Sequence, residues 1–525
     1  MAQKIKWSII IVLIGVLFCE VPRSFAQIEF FDGKARLQFI LDEYIVWRER
    51  IHPDQRVQLS NRLTGLRTRL QMEGRFNLVE NENLIINFYS WLNYFYEASP
   101  DVNRKINFAM ESGKRYKQFK SPLFDKDFDG DDFIMEAYLD INYGPLTFRA
   151  GKQKVVWGET EQVQTIDIIN PLDLRYSSPG IDDFDELKIG IWMMRLIYQS
   201  ELPGDLNFEF ILNPGDYEQI RLGIQGSDRG APSVPNEEYG GLGAAGLGQQ
   251  LQRRSYPAFS LSNYEFGFRL RGLWDFTLKD KVFETLWTLN YFDTLDDVMI
   301  VDKIDEYNQL AGQFVAARLN NAPALPSLTG YNNVYDAKRF KAIGGSFQTY
   351  DPLLTKGVFR FEFVYYIGRK FNSRTRQSST RTGIVKRDSI SYGLEFIRPF
   401  STKFFKKIDH TSRGYTDVTI GLFQGWNLGN QDRVWRQFSY GERSQTNFTL
   451  QLMTHFLSQH ITPVFRMRYN TDNWGYMVIS TSFSITTNLK WSLGYTENFG
   501  VDKTADGIAS ARDSDRFYTK IKVQF

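Results

Sequence analysis

The sequence predicts an all-β fold, a transmembrane antiparallel up-and-down β-barrel of about 18 strands. Three observations predict it. Strand-length segments recur in which aromatic and aliphatic residues alternate with charged ones, so that period two puts each set on its own face. Short turns alternate with long polar connections between those segments. The chain also carries 43 Phe, 27 Tyr and 11 Trp at a mean hydropathy of -0.37, which suits an apolar outer face, a wet interior and aromatic rims.

Taken from the amino terminus, residues 1–26 read as a secretory signal peptide. Lys4 and Lys6 form a basic region, Trp7 to Phe18 an apolar core, and Ser24-Phe25-Ala26 a small-x-small cleavage site before Gln27. Cys19 is the only cysteine, and Phe18 before it is too bulky for a normal lipobox, so a mature chain 27–525 offers no disulfide, thiolate or cysteine metal site. Beyond the leader no apolar run approaches the roughly 18 residues of a spanning helix. The formal net charge is +2, and removing Lys4, Lys6, Arg23 and Glu20 from 63 basic and 61 acidic residues leaves the two balanced. That neutrality gives no support to nucleic-acid binding.

The strands follow in order. In 67–78, Thr68, Leu70, Met72, Phe76 and Leu78 would face lipid while Arg67, Arg69, Glu73 and Arg75 face the lumen. Segment 133–143 turns Glu136 and Asp140 inward, 206–212 Glu209, 358–367 Arg360 and Glu362, and 464–469 Arg466 and Arg468. The clearest pattern is 264–276, with Tyr264, Phe266, Phe268, Leu270, Trp274 and Phe276 outward and Glu265, Arg269, Arg271 and Asp275 inward. Turns are expected around Asn81, Gly144-Pro145, Pro203-Gly204, Lys279-Asp280 and Thr487-Asn488. Long loops are expected near 99–131, 157–186, 214–262, 296–336 and 371–387. A single barrel domain results, with no room for the plug and about 22 strands of a TonB-dependent receptor.

At the far end, Phe517, Thr519, Ile521, Val523 and Phe525 alternate with Tyr518, Lys520, Lys522 and Gln524. An apolar outer row, a cationic inner row and a terminal Phe resemble the last strand of bacterial outer-membrane barrels, which carries their assembly signal. That resemblance implies the outer membrane of a Gram-negative bacterium, with membrane lipid and the barrel assembly machinery as partners and Phe525 as the signal.

Arg149-Ala-Gly-Lys-Gln-Lys-Val-Val-Trp-Gly-Glu159, then Asn170-Pro-Leu-Asp173, resembles the bacterial outer-membrane family catalogued as domain of unknown function 1302, whose pattern is Gly-Arg-Gln, Trp-Gly-Glu and Asn-Pro-x-Asp. Lys152 replaces the usual Arg. The family implies an outer-membrane channel without naming a substrate. From the residues themselves, Arg149 and Gln153 fall on an inward row, and the loop carrying Trp157, Glu159, Asn170 and Asp173 has enough hydrogen-bonding groups to fold back and narrow a lumen. It can equally be a latch, with Asn170-Pro171 setting a rigid turn and Glu159 pairing with a lumen arginine.

Three further patterns bear on chemistry. Asp125, Asp127, Asp129, Gly130 and Glu136 fit the spacing of a calcium loop, without flanking helices and with Asp132 where an apolar residue is usual. Calcium is thus the one candidate cofactor, against a solvated acidic loop. Gly241-Leu-Gly243-Ala-Ala-Gly246 spells a dinucleotide fingerprint but lacks the strand and helix that such a site needs, so it reads as a Gly-rich loop. Of the four histidines only His455 is placed inward within a strand, so no enzyme is expected.

The expected function is a porin-like channel for diffusion of small polar or amphipathic solutes. Its lumen would be lined by Arg67, Arg69, Arg75, Arg149, Arg269, Arg271, Arg360, Arg466 and Arg468 with Glu265 and Glu362 among the facing acids. Two alternatives stand beside it: a dedicated exporter resembling alginate-export barrels, and a sealed barrel serving as a surface-binding anchor.

Overall fold

The computed structural model describes residues 28–31, 33–48, 63–97, 133–163, 165–173, 184–220, 255, 257, 259–319, 330–374, 381–429, 434–436, 439–440, 444–471, 474–500 and 515–525. The leader 1–26, Asp125, Asp127 and Asp129, and the glycine-rich loop 241–246 lie outside the described residues.

Eighteen long strands make one closed antiparallel barrel. In chain order they are β1 Ala35–Arg48, β2 Leu63–Glu80, β3 Leu84–Glu97, β4 Ile134–Tyr143, β5 Leu146–Gln153 and β6 Ile191–Gln199. Next come β7 Asn207–Asn213, β8 Glu265–Leu278, β9 Lys281–Leu295, β10 Arg339–Tyr350, β11 Val358–Arg374 and β12 Arg381–Ser401. The last six are β13 Tyr415–Asn427, β14 Ser444–Thr454, β15 Ile461–Asn470, β16 Trp474–Ser484, β17 Leu489–Gly500 and β18 Arg516–Gln524. Each pairs with its neighbours in sequence, and β18 closes on β1 in the register Ile40↔Gln524 to Arg48↔Arg516. The carboxyl terminus completes the seam: Phe39 N–H donates to the Phe525 carbonyl at 2.7 Å, Phe525 N–H donates back at 2.9 Å, and the two rings stack at 6.3 Å. No barrel strand keeps an unpaired edge.

The alternation read from sequence is the alternation of the wall. Leu70, Phe268, Trp274, Leu289, Ile343, Ile420, Ile479 and Phe517 stand exposed on the outer row, while Asp140 faces Arg149 and Glu209 faces Arg269 across the inner one. Turns are short at one rim because their residues accept left-handed backbone. Lys279 and Asp280 both have positive φ, 49° and 58°, the two-residue hairpin geometry that matches strand twist.

Two features depart from the sequence reading. The stretch 296–336 is more than a polar loop: Ile300–Val301 pairs with Tyr335–Asp336, and helix Ile304–Leu319 packs Tyr307 and Leu310 into an apolar cluster with Met299, Val301, Val334 and Tyr217. Its apolar residues are contributed by two distant loops, so no local period reveals it. His455 is not within a strand either; β14 ends at Thr454, and the imidazole Nδ1 sits 3.0 Å from Thr462 Oγ1 at the start of β15.

Candidate functional site: a loop tethered inside the barrel

Of the segment between β5 and β6, the described residues 154–163, 165–173 and 184–190 lie along the inner face of the wall. Its entry and exit are clamped by Asn170, whose Oδ1 accepts Val155 N–H at 2.7 Å while its Nδ2 donates to the carbonyls of Gln153 and Ile189 at 3.1 and 2.8 Å. Gln153 is fully buried beneath this clamp and donates to Met193 O at 3.0 Å. Asp173 continues the clamp as Asp173 N–H donates to Leu187 O at 2.7 Å. A buried ion pair, Lys188 with Asp167, ties the same neck; burial pushes the Asp167 carboxyl up and the ammonium opposes that.

Beyond the neck the loop is held by acids of the wall. Trp157 is buried edge-on to Phe292 at 6.1 Å and donates its indole N–H to Glu209 at 3.0 Å. Glu362 on β11 accepts four backbone amides: Thr160 at 2.7 Å, Thr165 at 2.8 Å, Ile166 at 3.1 Å and Glu159. Glu395 on β12 accepts those of Glu161 and Gln162, each at 3.1 Å, and the Gln162 side chain donates to Gln451 on β14 at 3.1 Å. The loop's own acids return to arginines, Glu159 to Arg269 at 3.0 Å and Glu161 to Arg360 at 2.8 Å.

Shape agrees with charge. Gly267 on β8 and Gly344 on β10 face inward where the loop docks, and a Cβ on either would meet Trp157 at 2.8 Å or Ile166 at 3.0 Å. Val155, Trp157, Ile166 and Ile169 thereby join Ile211, Phe292, Ala342, Val364 and Tyr366 in a buried cluster. Apolar burial and charge-assisted hydrogen bonds hold the same segment from both sides.

Among the expected lumen residues, Arg69 pairs with Asp42 and with Glu186 of the short helix Phe184–Leu187 at 2.9 Å. Arg149 forks onto Asp140 at 2.6 and 2.7 Å, Arg75 meets Glu73 at 2.8 Å, and Arg67 lies over the Tyr44 ring at 5.1 Å. Arg271 is exposed, whereas Arg466 and Arg468 donate to the neutral acceptors Gln451 and Asn447 at 2.7 and 3.1 Å. Glu265 and Glu362 need correction as lining acids. Both stand on the inner row, but Glu265 is 6% exposed, bonded to Asn213 at 2.7 Å and Leu295 N–H at 2.8 Å, and Glu362 is wholly covered by the loop. Glu136 faces Lys154, whose ammonium lies 4.3 Å from the Trp91 ring centroid. Burial lowers that Lys154 amine to about 8 against the pull of Glu136, Glu186 and Asp185. Among the described residues no cluster of potential metal ligands forms.

A match over residues 56–525 to the family described as a protein of unknown function, DUF1302, decides the kinship. The chain belongs to the DUF1302 family. No curated protein matches it. Solved structures similar to this DUF1302 barrel include Salmonella typhi OmpF in complex with daunomycin, at 9% identity over 95% of this chain and 100% of that one, TM-score 0.41. Acinetobacter baumannii OccAB2 is similar at 9% identity over 95% and 99%, TM-score 0.45, and Pseudomonas aeruginosa OpdK at 6% over 94% and 100%, TM-score 0.45.

Proposed function

We propose that this DUF1302 protein is a porin-like channel of a Gram-negative outer membrane, through which small polar or amphipathic solutes diffuse past the inward loop. The observation that carries the reading is the tether itself: a segment pinned inside a closed barrel by Glu362, Glu395 and Gln451 narrows the lumen at a fixed place. On their inner row β16 and β17 carry the small hydroxyl residues Ser480, Ser482 and Ser492, while the space beside Gly494 is filled by the Tyr518 ring. The outer row would meet membrane lipid, and Phe525 would serve the assembly machinery from the seam.

The test is solute uptake by liposomes holding the purified, heat-modifiable full-length chain. Swelling in small polar solutes that slows with solute size supports a channel, and permeability equal to protein-free liposomes contradicts it.

A further inference from the structure

The acids of the inner wall are unevenly spent. Glu209, Glu362 and Glu395 are buried against loop 154–190, so their charge is directed at its amides, its indole and its arginine partners. Across the seam the balance differs. One cross-strand row runs Lys490–Lys522–Asp42–Arg69 through β17, β18, β1 and β2, and the next runs Ser492–Lys520–Tyr44–Arg67. Lys490 and Lys522 are direct register partners on one face, an arrangement that costs stability in a sheet and contributes nothing to packing. Arg69 holds Asp42 through Oδ2, and among the described residues no ion pair joins Lys490, Lys520 or Lys522 to a carboxylate. Among the described residues two acids face this patch, Asp42 in register with Lys522 and Glu186 from the exit of the loop, and both pair with Arg69, so the cations Lys490, Lys520, Lys522 and Arg69 outnumber them. Lys520 is the register partner of Ser492, whose hydroxyl meets that of Ser482 at 2.9 Å, so the lysines lie beside an uncharged hydroxyl-bearing stretch of the inner row.

We infer that the seam patch Lys490, Lys520 and Lys522 makes this barrel selective for small oxyanionic solutes, bearing carboxylate or phosphate groups, that pass along the inner face of β17 and β18. The inference rests on the channel reading and deepens it. Strongly hydrated ammonium groups on flexible stems suit transient contact with a passing anion, where a forked arginine pair would hold it. Removing a retained like-charge pair should relieve the wall rather than weaken it.

The experiment measures reversal potential across planar bilayers under a potassium chloride gradient, for the wild-type chain and for Lys490→Gln/Lys520→Gln/Lys522→Gln, both verified as heat-modifiable barrels. Wild type should prefer chloride over potassium, and the triple variant should lose that preference by roughly five-fold, the effect of three charges near a water-filled path. Acetate and inorganic phosphate added separately should each reduce chloride current in wild type and not in the variant. Cation preference in wild type, or an unchanged ratio in the variant, overturns the inference while leaving the channel standing. A wild-type barrel without conductance overturns both, and is recognised by the absence of any current.

Discussion

Replacing Glu362 by Gln probes the loop tether at its centre. The carboxylate is 0% exposed and accepts four backbone amides, two on each oxygen. A glutamine of the same shape keeps one oxygen and turns an amide nitrogen toward the other two N–H groups, whichever way it is flipped. Two buried donors then lose their acceptor, at roughly 1 to 3 kcal/mol each, so the docked tip weakens by about 2 to 6 kcal/mol. Glu395, the Arg269–Glu159 pair and the buried Trp157 remain, so the barrel and the neck should survive while residues 159–166 detach for part of the time. At about 1.4 kcal/mol per factor of ten, the detached population rises about thirty-fold or more. Single-channel recording reads this as larger open-channel noise and a higher mean conductance. Glu265→Gln serves as the control, since that acid is buried without touching the loop. A Glu362→Gln barrel with wild-type noise and conductance would refute the tether as the determinant of the lumen.

Other perturbations follow from the same geometry. Gly267→Val places a side chain against the Trp157 and Phe292 rings and should displace the loop with a conductance gain like that of Glu362→Gln; an unchanged conductance contradicts the docking. Deleting Phe525 removes both seam hydrogen bonds to Phe39 and should lower heat-modifiable protein in the outer membrane while export to the periplasm persists. Burial opposes ionisation of Glu186, but Arg69, Lys520 and Lys522 outweigh it and hold the carboxyl at about 2. With the folded value depressed, the contact with Arg69 is fully present above the ordinary carboxylate range and is lost as pH falls toward about 2. A spin-label distance from Asp185 to Ser492 should therefore broaden only below about pH 4, and broadening already above about pH 5 would contradict it. Calcium, if Asp125, Asp127, Asp129 and Glu136 act as ligands, should raise thermal stability where magnesium does not, and titration calorimetry without calcium-specific heat returns the segment to a solvated acidic loop.

Strands were legible because each writes its two faces into consecutive residues: Phe266, Phe268 and Leu270 against Glu265, Arg269 and Arg271 needs no partner to be read. The inward-folding loop was half legible. Gln153, Trp157, Glu159 and Asn170 announced hydrogen bonding and even an arginine for Glu159, which is Arg269. Illegible were the acceptors: Glu362 and Glu395 look like any inward acids on a wet wall, because their amide partners lie about two hundred residues away in the chain. The inner-row glycines 267 and 344 gave no signal for the same reason, as a missing side chain matters only once Trp157 or Ile166 arrives to fill the space. Lys188 likewise follows no period, and only the fold brings it to Asp167.

The most direct measurement of the central claim is the current through the purified full-length chain in planar bilayers, beside a chain in which residues 159–165 are replaced by a short Gly-Ser link. A loop-narrowed pore predicts discrete steps for wild type and larger steps for the shortened chain. Absent steps from correctly inserted wild-type barrels, or equal steps from the two chains, would contradict it.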